Sequence, residues 1–143
     1  MDLLASKTST TAVSNPKLCV GALLVCDQAV LLIRRGNPPG EGRWSLPGGR
    51  VRYREPMVQA VARELLEETG LTGEVGELMG WTELINRNRH YVIANFWVWM
   101  KTNTTPTAGS DATKAAWVPL KQINDWNLVD GLADFLLKHK VTR

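Results

Sequence analysis

Three glutamates, Glu64, Glu67 and Glu68, stand at positions i, i+3 and i+4 of a segment whose apolar residues recur at helical spacing. On a helix that spacing gathers all three carboxylates on one surface. The arrangement is costly, because like charges at these spacings destabilise a helix by about 0.2–0.5 kcal/mol per pair. The glutamates also fall in the last turn, where the helix dipole disfavours negative charge. Arg63, four residues before Glu67, offsets one charge of the three. Two readings follow: a solvated acidic face, or a site for a hard cation. Mg²⁺ takes oxygen ligands and is held by a few carboxylates together with substrate phosphates. Gly48 and Gly49 lie upstream, where a backbone can bend sharply and bring its carbonyls or amides against an ion or a phosphate.

The helix that must carry these groups is predicted over residues 56–69. Val58, Val61, Ala62, Leu65 and Thr69 fall within an arc of roughly 100°, with the glutamates on the other side. Pro56 suits a first turn, Glu55 just before it suits an anionic cap, and Gly70 suits the end. Upstream, residues 18–26 and 30–33 read as a hairpin about Asp27-Gln28-Ala29, residues 35–42 as loop, and residues 44–47 as a short strand that ends at the glycine pair. Downstream, residues 75–83, 91–100 and 116–120 read as strands. Residues 101–114 form a long polar loop, and residues 129–139 a closing amphipathic helix. This order predicts an α/β fold, an α/β/α sandwich with a mixed β-sheet covered on both faces.

At 143 residues, 44% hydrophobic and 22% charged, the chain has material for one domain with its own core. That domain is expected over residues 17–143, behind a loose tail rich in Ser, Thr and Ala over residues 1–16. Residues 3–5 are too few for the apolar region of a secretory signal. No run approaches the ~18 apolar residues of a membrane span. A cytoplasmic location with no membrane partner is therefore expected. A net charge of +3 is compatible with a phosphate-bearing ligand but is equally common without one. Cys19 and Cys26, seven residues apart, fall on opposite faces of a regular strand, so two buried, unpaired thiols are expected.

Read together, Gly49, five residues, Glu55, seven residues and then Arg63-Glu64-Leu65-Leu66-Glu67-Glu68-Thr69-Gly70-Leu71 match, at every defined position, the box of the Nudix hydrolases. The chain resembles that family over roughly residues 17–139. The opening strands, Trp44-Ser45-Leu46-Pro47 and Ala116-Trp117-Val118-Pro119-Leu120 look like further landmarks of it. The resemblance implies a Mg²⁺- or Mn²⁺-dependent enzyme that hydrolyses the pyrophosphate linkage of a nucleoside diphosphate joined to another moiety. It implies Glu64, Glu67 and Glu68 as metal ligands, with the Gly48 carbonyl as a further one. Arg63 would orient a ligand glutamate, and Glu55 would bridge to the metal site or support the loop. Gly70 and Leu71 would be structural. Glu67 or Glu64 could serve as general base, or the base could come from a later loop, where Asp111 and Glu83 are the candidates. Arg34 and Arg35 would lie near the phosphates, at most one of them pointing inward, with Gly49 and Arg50 beside them.

The substrate is less sharply drawn. The pattern from the arginine-rich strand end to Trp117 is similar to small ADP-ribose pyrophosphatases, so an ADP-ribose-like compound is favoured. His90-Tyr91-Val92 also resembles enzymes acting on nucleoside triphosphates, oxidised ones included. Asn86 and Arg87 stand where one ADP-ribose subgroup carries a proline. Phe96, Val98 and Met100 fall on one face of a strand and Trp97 and Trp99 on the other, and burial on both faces is predicted for most of them. One of Trp44, Tyr91, Trp97 and Trp99 is left to stack on a nucleobase. With Arg87, Arg89 and His90 nearby, a single-strand RNA platform is a lesser reading, since no RNA-binding motif accompanies it. A non-catalytic nucleotide- or RNA-binding module of the same family would be expected to lack some of the glutamates, and all are present. Oligomeric state is open, a homodimer included.

Overall fold

The computed structural model describes residues 15–101 and 104–142. The tail expected over residues 1–16 therefore lies, for residues 1–14, outside the described part. In chain order the elements are β1 (Lys17–Leu23), β2 (Val25–Cys26), β3 (Ala29–Arg35), β4 (Trp44–Ser45), β5 (Gly48–Arg50), α1 (Met57–Thr69), β6 (Glu74–Ile85), β7 (His90–Trp99), β8 (Ala112–Pro119), a 3-10 helix (Leu120–Asp125) and α2 (Leu132–Lys138).

Two sheets form. The first runs β5-β1-β7-β6 and is mixed, because β1 and β7 are parallel while the other pairs are antiparallel. In the second, all antiparallel, β3 has β8 along one side and β2 and β4 along the other. The apolar run over residues 18–26 is thus not one strand, as expected, but two in different sheets. The chain changes sheet at Leu24, which is itself buried. The hairpin is made by β2 and β3 alone, around Asp27 and Gln28. Their φ values of 51° and 61° fit a two-residue turn whose twist matches the flanking strands.

Alternation along the strands sends side chains to two cores. Val20, Ala22, Leu24 and Leu31 pack with Val61 and Leu65 of α1. Leu23, Val30, Leu32 and Val118 pack with Leu132, Phe135 and Leu136 of α2. The helices therefore cover opposite sides of the strands, and the fold is the α/β sandwich with a mixed sheet that the element order predicts.

Several local expectations need correction. In α1 the buried residues are Ala60, Val61, Leu65, Glu68 and Thr69, whereas Val58 and Ala62 are exposed. Glu68 does not lie opposite the apolar arc but beside Leu65, because a backbone amide at the rim of the first sheet takes its carboxylate. Pro56 is the N-cap rather than the first helical residue, and Glu55 makes no capping bond. Gly70 ends the helix as expected, with φ 73° and its N–H donated to the Leu66 carbonyl. Gly48 and Gly49 do not form a bend; they lie in β5, where a Cβ on Gly48 would fall 2.0 Å from the Val20 carbonyl oxygen. β8 begins at Ala112 instead of residue 116, since β3 pairs with it along its whole length and exposed Thr113 and Lys114 mask the pattern. α2 is shorter than residues 129–139, starting after Gly131 at φ 84°. Cys26 is partly exposed, not buried; both thiols are free. Trp99 and Trp81 are also exposed, at 59% and 66%. They stand at the end of β7 and on the edge strand β6, beyond the cover of either helix.

Candidate active site

The last turns of α1, strand β5 and the turn between them converge on one guanidinium. Arg63 donates from Nε and Nη2 to the two oxygens of Glu55, at 2.7 and 2.8 Å, a two-pronged pair of the kind that fixes geometry as well as charge. Its Nη1 reaches Glu64 Oε1 at 3.2 Å and Glu67 Oε2 at 3.4 Å. Nη2 also donates to the Arg50 carbonyl at 3.1 Å, which ties the helix to β5. Arg63 thus positions two of the expected ligand glutamates rather than one. Glu55 supports the turn, accepting from the Arg52 amide at 2.9 Å. These bonds hold the Glu55 carboxyl down to about 2, chiefly through Arg63, and Glu55 in turn keeps Arg63 firmly protonated.

Glu68 is treated differently. It is 5% exposed, and its Oε1 accepts from the Gly48 amide at 2.7 Å. Burial pushes its carboxyl up to about 8, with the Gly48 bond and the charge of Arg35 acting against burial, and Glu64 and Asp111 acting with it. Glu64 is raised too, again mainly by burial, with Arg63 opposing. Gly49 makes room for it, since a Cβ there would lie 2.1 Å from Glu64 Oε2. Three carboxylates, Glu55, Glu64 and Glu67, so meet one guanidinium, with Glu68 held apart on the Gly48 amide, and burial works against the charge of Glu64 and Glu68. Among the described residues no three acidic, histidine or cysteine side chains point at a common centre. Glu64 and Glu67 lean on Arg63 and Glu68 on β5 instead. A set of carboxylates that outnumbers its one guanidinium has the all-oxygen chemistry that fits a hard divalent cation such as Mg²⁺ or Mn²⁺.

The other expected residues divide. Arg35 bears electrostatically on Glu68 and so borders the cluster, whereas Arg50 bears on Cys19 and joins the cluster through its carbonyl, which takes Arg63. Arg35 also donates from Nε to the Pro39 carbonyl. Arg34 turns to the Gly42 carbonyl at 3.3 Å and takes no part in the cluster. Of the two consecutive arginines Arg35 is the one beside the cluster, at a point where the pairing of β3 with β8 shifts register. Asp111 is brought near: its charge raises both Glu64 and Glu68. Its segment is pinned. The Thr107 and Gly109 amides donate to the Thr69 and Glu68 carbonyls at the end of α1, and Asn37 Nδ2 donates to Asp111 Oδ1 at 2.9 Å. Glu83 stands apart on β6, in an exposed pair with His90 at 3.2 Å. Of the aromatic candidates, Trp44 packs edge-on against Trp126, 4.7 Å between ring centres, and Trp97 and Trp99 stack at 5.9 Å. Sequence reasoning missed Arg52, whose side chain reaches Glu67 at 3.7 Å, and Asn95, buried on β7. A polar residue in the apolar core of a strand was the available signal for the second.

Comparison with known proteins agrees with this geometry. A model of the NUDIX domain matches residues 15–138. An ADP-ribose pyrophosphatase of Methanocaldococcus jannaschii is 34% identical over 110 residues, covering 76% of this chain and 65% of that protein. A putative 8-oxo-dGTP diphosphatase 2 of Mycobacterium tuberculosis is 44% identical over 63 residues, 43% of each chain. The chain thus spans less than two thirds of the length of either relative. A solved structure of the MutT protein from Methanosarcina mazei Go1 superimposes with a TM-score of 0.81 at 25% identity, covering 91% of this chain and 96% of that one.

Proposed function

Because this chain belongs to the NUDIX domain family, we propose that it is a pyrophosphohydrolase that cleaves the phosphoanhydride of a nucleoside diphosphate joined to another moiety, with an ADP-ribose-like substrate. The observation that supports this is the cluster itself: three carboxylates on Arg63 and a fourth, Glu68, on the Gly48 amide, with Glu64 and Glu68 pushed up by burial at the rim formed by Gly48 and Gly49. The relative named for ADP-ribose hydrolysis favours that substrate. The relative named for 8-oxo-dGTP favours an oxidised nucleoside triphosphate as the second reading.

In this reading Glu64, Glu67 and Glu68 hold Mg²⁺ or Mn²⁺, with the Gly48 carbonyl adjoining. Bound there, the cation supplies charge neutralisation for the pyrophosphate and a lowered pKa for water. Arg63 keeps Glu64 and Glu67 in place, and Glu55 keeps Arg63 in place. Arg35 and Arg50 meet the phosphates from the opposite side. Asp111, exposed beside the glutamates, accepts the proton of the attacking water; Glu83, tied to His90 away from the cluster, does not. In-line attack on phosphorus demands position and charge neutralisation above all.

The test is a panel of ADP-ribose, dinucleotides, nucleotide sugars, nucleoside triphosphates and 8-oxo-dGTP with Mg²⁺ or Mn²⁺, products read by chromatography. Release of a nucleoside monophosphate from ADP-ribose is expected. A panel left wholly intact would remove the enzyme reading. Glu67→Gln and Glu68→Gln are each expected to lower kcat by orders of magnitude with the melting transition retained.

A further inference from the structure

One buried polar side chain is not used by the fold. Asn95 lies in the middle of β7 and is 4% exposed, among apolar neighbours. Among the described residues its amide has no hydrogen-bond partner, yet none of their fully sealed polar atoms lacks one. The little exposure Asn95 keeps is therefore at its polar tip. A buried amide that faces a crevice without a partner is costly to the fold, and such a group calls for an explanation outside it.

The sheet register shows where the tip points. The row across the first sheet reads Gly48, Gly21, Asn95 and Gly80. A Cβ on Gly21 would lie 2.3 Å from Asn95 Oδ1, so the amide leans over Gly21 towards β5, on the face of the sheet opposite α1. The other flank is closed: a Cβ on Gly80 would meet the His139 ring at 2.9 Å. The adjoining row is Arg50, Cys19, Ile93 and Thr82. Ile93 and Tyr91, on the same face as Asn95, are half-buried and belong to neither core, so this part of the face lies open. With strands about 4.7–4.9 Å apart, Asn95 is two strands, roughly 10 Å, from Gly48, the residue that holds Glu68. Two glycines, Gly21 and Gly48, leave no side chain of their own between them, and Leu46 comes to 3.7 Å of a Cβ placed on Gly21. The row from the unsatisfied amide therefore runs low to the edge strand β5, and Glu68 comes round that edge to the Gly48 amide, so a nucleoside on this face would have its phosphates at the glutamates.

We infer that Asn95 is a specificity-determining residue that reads the edge of an adenine base, its amide nitrogen donating to a ring nitrogen and its oxygen accepting from the 6-amino group. This rests on the pyrophosphohydrolase reading above. An asparagine amide matches the adjacent donor and acceptor of adenine in two bonds. Hypoxanthine puts an oxygen in place of the amino group and guanine presents two acceptors on the same edge, so both leave the amide oxygen facing another oxygen. Apolar contact comes from Ile93 and Tyr91 beside it.

The test separates base reading from hydrolysis. Calorimetric titration of the wild-type protein with AMP and with IMP is expected to favour AMP by roughly 5- to 150-fold, the worth of one good two-bond contact. In Asn95→Leu and Asn95→Ala, each checked for a cooperative melt, that ratio is expected to fall to near one. Gly21→Ala, which displaces the amide without removing it, is expected to lower it in between. In turnover of ADP-ribose against its inosine counterpart the loss should appear in KM more than in kcat. Equal binding of AMP and IMP by the wild type overturns the inference without any variant, and so does a ratio unchanged in folded Asn95 variants. A protein that favours AMP but cuts no phosphoanhydride overturns the hydrolase reading and leaves base recognition standing. One that cuts ADP-ribose and its inosine counterpart equally well does the reverse.

Discussion

At the scale of single residues, Arg63 decides more than any glutamate does. Its five donors are spread over Glu55, Glu64, Glu67 and the Arg50 carbonyl, a planar fork that a lysine cannot imitate. Arg63→Lys is expected to keep the fold and to lower kcat by about 10- to 100-fold, the usual cost of losing a group that orients metal ligands; steady-state kinetics beside a circular-dichroism spectrum would check it. The Glu55 pair also sets an acid limb. Its folded-state pKa, about 2, lies below the ordinary value of 4.5, so the stability it lends is complete above about 4.5 and is lost as pH falls towards 2. Glu55→Gln should flatten urea midpoints over that window and leave their pH slope above it unchanged. Gly49 makes a further test of the cluster. Gly49→Ala drives a methyl into Glu64, 2.1 Å from its Oε2, and should cut activity sharply. A fully active Gly49→Ala enzyme would mean that Glu64 is free to move away.

At the scale of elements, the sequence was legible where its periodicity had a single cause. The extent of α1, the glycine that stops it and the clustering of its glutamates could all be read in advance, because spacing alone dictates them. Which side of α1 is buried could be read only in part: Val61, Leu65 and Thr69 are buried as their spacing implies. Val58 and Ala62 looked apolar and are exposed, while Glu68 looked solvated and is buried, since the Gly48 amide that takes it belongs to a strand brought alongside by tertiary pairing. Strand ends were illegible for the same reason: β8 reaches back to Ala112 because β3 is there to pair with it. The corrected face predicts mutational costs. Leu65→Ala should lower stability by about 2–5 kcal/mol, whereas Val58→Ala, at a position 48% exposed, should cost far less; denaturant midpoints of the two would settle which face carries the packing.

At the scale of the whole molecule, β3 is shared. Leu31 belongs to the core under α1, while Val30 and Leu32 on either side of it belong to the core under α2. Neither layer can loosen without the strand that serves both. Leu65→Ala in the first core and Phe135→Ala in the second are thus each expected to shift one common transition, with tryptophan fluorescence and far-ultraviolet dichroism remaining coincident. Two separated transitions in either variant would show that the layers melt independently. At this scale the sandwich could be inferred from element order, but the second sheet could not: a continuous apolar run carries no mark of the point where the chain crosses between sheets.

The pairing of β1 with β7 sets an order of events during synthesis. Lys17 lies beside Tyr91 and Leu23 beside Trp97, partners more than seventy residues apart in the chain. While the protein is being made, the glutamate helix leaves the ribosome well before the strand that must flank β1 exists. Val20 and Ala22 wait with one edge bare, and Glu68 has no finished sheet to lean on. Closing so distant a contact is slow, so an emerging chain spends that interval as apolar strand and acidic helix without a site. The three glutamates have no complete sheet beside them until residue 97 has been added.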